Sequence, residues 1–150
     1  MAEFAYQNSE AWLTSVKLAA AVGRLKIGSN LKASIDAQGK AFEQAGMACA
    51  LIAEGSGRDG PGQVALYRDA RGALAQCRSW IHILAAVTNE QDTVFGNELD
   101  LAEAAARQVG GMLRALDRPM PSQGGPGPGQ GPRPMMNRGG PPPRQDRGPR

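Results

Sequence analysis

The sequence predicts an all-α protein, an up-down four-helix bundle over residues 1–118, followed by a disordered Pro/Gly/Arg-rich tail over residues 119–150. Three observations lead there. Apolar residues recur at alternating steps of four and three, the spacing of a helix packed in a bundle. No stretch alternates with period two for long enough to form a strand. Ten of the 11 prolines lie in residues 119–150.

The bundle spans roughly residues 9–116. In the first helix Trp12, Leu13, Val16, Ala20 and Ile27 are the expected contacts. Gly28, Ser29 and Asn30 offer a stop and then a cap for the second helix. That helix has the row Leu31, Ile35, Gln38, Phe42, Ala45, Cys49, Ile52. The third has Leu66, Ala70, Ala73, Cys77, Trp80, Leu84, Val87. A polar turn, TNEQDT at residues 88–93, leads to the fourth, with Phe95, Leu99, Ala102, Ala106, Val109, Leu113 and Leu116. Aromatic residues make up only 5% of the chain, so the core must be built from Ala, Leu, Val and Ile, which lets helices approach closely. Tyr67, Leu74, Ile81, Leu51 and Leu101 fall beside the rows and widen the apolar faces. A face that wide serves the monomer core alone or a subunit interface as well.

The tail cannot bury enough apolar surface to offset its ordering entropy. It also holds the positive charge. Arg133, Arg138, Arg144, Arg147 and Arg150 stand against Asp146 alone, and with the whole chain at +3 the body is left slightly acidic. Arginines spaced by Gly and Pro contact phosphates without a fixed structure. A solubilising spacer and a proline-rich ligand for another protein are the other readings of the tail. The N-terminus lacks a basic patch before an apolar run, and no apolar run is long enough to span a bilayer. The expectation is a cytoplasmic protein without a membrane partner.

The segment ALIAEGSGRDGPG, residues 50–62, carries Gly55, Gly57 and Gly60 in the G-x-G-x-x-G spacing of dinucleotide sites. That fingerprint works after a strand and at the start of a helix. Here it follows a helical row, so the segment reads as a corner between two helices. Gly55 and Gly57 are placed to take the left-handed conformation that ends a helix. Asp59 or Gly60 caps the next one, and Pro61 suits its first turn. Glu54 sits at a helix C-terminus, where the dipole disfavours an anion, so it needs a cationic partner. Arg58, Arg68, Arg71 and a residue of a neighbouring subunit are the candidates.

Other chemistry is sparse. Cys49 and Cys77 lie on different helices at heights differing by about 12 Å, too far for a disulfide, and read as small core residues. His82 is the single histidine and reads as structural or surface, without the Cys or carboxylate spacing of a metal site. Glu98, Asp100 and Glu103 read as a solvated acidic face, with Glu103 placed to pair with Arg107. No catalytic constellation and no cofactor site is expected. Arg71 and Arg78 share a face of the third helix, and Arg107 and Arg114 share a face of the fourth. Repeated in an oligomer, these rows would add through multivalency.

The strings AEGSGR, LYRDARGALAQC (residues 66–77) and RQVGGMLRAL (residues 107–116) resemble the four-helix bundle proteins encoded within 23S rRNA intervening sequences. Those proteins carry an I-A-E-G-x-G-R corner. The accessory variability determinant proteins of diversity-generating retroelements share their fold. The resemblance covers roughly residues 12–116. It implies a cytoplasmic homo-oligomer, a pentameric ring, with no catalysis. From the retroelement relatives it implies binding to nucleic acid and to a reverse transcriptase. The expectation is therefore a non-enzymatic oligomeric bundle that binds RNA or a ribonucleoprotein, with Arg71, Arg78, Arg107, Arg114 and the tail arginines as its contacts. The alternative is a protein-binding adaptor, for example for a reverse transcriptase.

Overall fold

The computed structural model describes residues 4–118. After a short 3-10 turn at Ala5–Asn8 come four helices: α1 (Glu10–Gly23), α2 (Lys32–Ser56), α3 (Gly60–Thr88) and α4 (Gly96–Leu116). A second 3-10 turn, Asp92–Phe95, leads into α4. Each helix packs against two others, α1 and α3 both lying between α2 and α4, while the diagonal pairs stay apart. Short connections make sequential neighbours antiparallel, as expected of an up-down bundle. Among the described residues there is no strand.

The helix boundaries have local causes. Ser9 caps α1, its Oγ accepting the Trp12 N–H at 3.4 Å. α1 ends at Gly23, five residues before the glycine expected to stop it, and Gln38 of α2 ties down that end. Its Nε2 donates to the carbonyls of Val22 at 2.9 Å and Leu25 at 3.0 Å, two of the acceptors a helix terminus leaves open. Leu31 stands at the N-cap of α2 without a side-chain cap, and Ser29 Oγ accepts the Leu31 N–H instead. α3 ends in a left-handed Asn89, φ 55°.

The core keeps about half of each expected row on α3 and α4 and departs further from it on α1 and α2. On α3 the expected Ala70, Ala73, Cys77 and Leu84 are buried, with Tyr67, Leu74 and Ile81 beside them. On α4 Phe95, Ala102, Val109 and Leu113 are buried as expected, while Leu116 is exposed. On α2 the buried row is Ser34, Ala37, Ala41, Ala45, Ala48 and Ile52. Leu31, Ile35 and Phe42 face outward. On α1 the buried row is Ala11, Ser15, Leu18 and Val22, and Leu13 and Val16 are exposed. Small side chains explain the turn. The alanine row lets α2 lie close against α3, the most extensive helix pairing of the bundle. Ser15 and Ser34 enter that core because each hydroxyl donates to a carbonyl of its own helix or cap, Ala11 and Leu31, both at 2.7 Å. The Gln108 side-chain oxygen is buried without a hydrogen-bond partner among the described residues.

Candidate nucleic-acid interface

Gly55 and Gly60 of the glycine corner each have a structural purpose. Gly55 is not the left-handed residue expected; it is helical and buried in α2. A Cβ there would stand 2.6 Å from Cε1 of the Tyr67 ring, which packs directly on the Gly55 backbone. Gly57 follows the last residue of α2 at φ −93°, its N–H donating to the Glu54 and Gly55 carbonyls. The left-handed conformation falls on Gly60, φ 63°, with Pro61 next in the first turn of α3. Asp59 precedes α3 without making a side-chain cap. Glu54 pairs with Arg58, four residues on, and both are exposed, so Arg68 and Arg71 are not needed there.

Those two arginines instead reach the seam between α3 and α4. Arg68, Arg71 and Arg114 line one groove of about 500 Å³, with Gly72, Ala75, Gly110, Leu113 and Asp117. Arg68 and Arg71 are three residues apart on α3 and so share a face. Arg114 comes from the antiparallel α4. Its guanidinium lies back along its own helix, as long helical side chains do. A Cβ on Gly110 would stand 3.4 Å from Nη1, and one on Gly111 3.7 Å from Nη2. The two glycines thus let the cation rest close to the backbone. None of the three arginines is ion-paired among the described residues. The groove lining holds no aromatic side chain and one carboxylate, Asp117.

Arg78 and Arg107 are exposed but do not line this groove. They lie one heptad from Arg71 and Arg114 on their respective helices. Since the helices are antiparallel and Arg71 and Arg114 share the groove, Arg78 and Arg107 fall at matching heights about 10 Å further along the two helices. Arg68 was missed as a contact, although its spacing from Arg71 marks the shared face. The tail arginines Arg133, Arg138, Arg144, Arg147 and Arg150 lie outside the described residues.

Other expected features are placed differently. Glu98 is not solvated; it is 7% exposed. It falls on the α4 row that continues through Ala102, Ala105 and Val109. The first turn of α4 suits an anion there, and Asn97 Nδ2 donates to it at 3.3 Å. Asp100 and Glu103 remain exposed, and Glu103 forms no ion pair with Arg107. His82 Nδ1 lies 3.0 Å from Asp92 Oδ2, linking α3 to the turn before α4. Both cysteines are free. Burial pushes the Cys77 thiol up to about 12 and raises Cys49 as well, so neither is an activated nucleophile. Among the described residues no group of His, Cys, Asp and Glu could hold a metal ion. No helix among them is long and apolar enough to cross a membrane.

A second surface runs along α2 and α3. Ile35 is 58% exposed and Phe42 50% exposed. Ile35 borders a broad apolar groove with Trp80, Ile83 and Val87 of α3. Its rim carries Asp36, paired with Lys32 at 2.6 Å, and Lys40, paired with Glu43 at 3.6 Å. Comparison with protein families, characterised proteins and solved structures finds no match to this chain.

Proposed function

We propose that this chain is a non-enzymatic, oligomeric four-helix bundle that binds RNA or a ribonucleoprotein through its phosphates. The observation that carries the reading is the convergence of Arg68, Arg71 and Arg114 in one groove, without a paired acid among the described residues. An arginine already held in an ion pair would have to give up that pair to meet a phosphate; these do not. Arg78 and Arg107 extend the basic seam, and the tail arginines supply a second set of phosphate contacts. The resemblance supports the same reading through the retroelement relatives, for which nucleic-acid binding is implied.

The apolar face of α2 and α3 is the assembly surface in this account, and its occupant is a second copy of the chain. The rim charges pair with each other on the same helix, so the face presents no net charge to repel an identical copy. The pentameric ring implied by the resemblance would repeat the arginine groove around the assembly. If the chain runs as a monomer at all concentrations, this face is left for a different protein, and the adaptor reading replaces assembly.

Fluorescence anisotropy with RNA at low and moderate salt tests the function, comparing the full chain with one ended at Arg118. Binding by both chains, weakening steeply with salt, is the expected result, and the difference between them measures the tail. Absence of binding by either chain at low salt removes the nucleic-acid function.

A further inference from the structure

Resting on that reading, we infer that the α3–α4 seam takes the paired phosphate rows of a nucleic-acid duplex in preference to a single strand. The arginines form two rows, not one. Arg68 and Arg71 of α3 face Arg114 of α4 in the groove, and Arg78 and Arg107 fall one heptad further along the same two antiparallel helices. Packed helices stand roughly 8–10 Å apart, and each row repeats after one heptad, about 10 Å. Two parallel cationic rows on a rigid scaffold match two strands at a fixed separation better than one flexible chain.

The composition of the seam points the same way. Proteins that hold single strands gain affinity by stacking bases on aromatic side chains. The groove lining has none. Nothing there offsets the ordering of a flexible strand, whereas a duplex arrives ordered and doubles the charge per unit length. Gly72, Ala75 and Gly110 bring no polar side chain, which leaves the arginine heads as the side-chain donors of the groove lining. Guanidinium contacts to phosphates carry no sequence information, so no sequence preference is expected. Asp117 is the one carboxylate in the lining and limits the seam at that end.

The test uses the full chain and three probes of equal length: an RNA duplex, one of its strands alone, and the DNA duplex of the same sequence. Anisotropy is read at several salt concentrations. One or both duplexes are expected to bind roughly tenfold tighter than the single strand and with a steeper salt slope. The two duplex arms tell whether the A-form or B-form groove fits. Asp117→Asn is expected to strengthen duplex binding. The inference is overturned if the single strand binds as tightly as both duplexes while Arg71→Glu with Arg114→Glu still weakens it. If that double variant changes binding to no probe, the groove reading itself fails.

Discussion

The corner AEGSGR shows how one missing side chain positions two helices. Tyr67 is 4% exposed, and its ring occupies the space a Cβ on Gly55 would need. Gly55→Ala should therefore destabilise the bundle by about 1–3 kcal/mol, because neither the buried ring nor the backbone can move freely. Gly39 and Gly72 are helical, exposed, and meet nothing within reach of an added Cβ. Alanine at either should stabilise by about 0.5–1 kcal/mol. Thermal melts of the three variants separate a glycine held by packing from a glycine that only weakens its helix. Cys77 makes a second residue-scale case. Its folded thiol titrates near 12, above its ordinary value of 9.0, so the folded state keeps a proton that the unfolded chain releases. The stability this contributes is present below pH 9 and declines as pH rises from there to about 12. The folded protein should leave Cys77 unreacted with an alkylating reagent at pH 8, and unfolding in denaturant should expose it.

At the level of the helices, the rows on α3 and α4 were legible in part: Ala70, Ala73, Cys77 and Leu84, and Phe95, Ala102, Val109 and Leu113, are buried, while Leu66, Trp80, Val87, Leu99 and Ala106 are half-buried and Leu116 is exposed. On α1 none of the expected contacts is fully buried, and on α2 only Ala45 and Ile52 of the expected row are. Hydrophobic periodicity weights Leu31, Ile35 and Phe42 above Ala37, Ala41 and Ala48, yet the alanines are the ones fully buried. Close approach of α2 to α3 selects for size there, and a size preference leaves little mark on a hydrophobicity pattern. Gln38 was visible as a polar residue in an apolar row. Its partners, the open carbonyls at the end of α1, were not, because α1 was expected to run on to Ile27. Gln38→Ala should cost about 1–2 kcal/mol by releasing two carbonyl contacts, measured by denaturant unfolding. Outward-facing Ile35 and Phe42 give a separate test. Replacing both with Asp should leave the helical content and melting of the fold nearly unchanged while shifting the mass measured by light scattering to that of a single chain. Loss of folding instead would place these residues in the core.

At the scale of the molecule, two of the arginines named from heptad spacing, Arg71 and Arg114, line one groove, and the antiparallel packing that brings them together emerges only from the fold. Arg71 and Arg114 are far apart in sequence, and no periodicity within one helix pairs them. Glu98 shows the converse: an acidic residue read as solvated lies on the buried row of α4. A slightly acidic body is compatible with phosphate binding because charge acts locally, over about 8–10 Å at moderate salt. In the groove lining three arginines face one carboxylate, Asp117. The most direct measurement is the salt dependence of RNA affinity for the full chain against Arg71→Glu with Arg114→Glu. The account predicts that the double variant binds more weakly and that its log–log salt slope is shallower by about two, one released counterion per arginine. An unchanged affinity and slope in a well-folded double variant would contradict it.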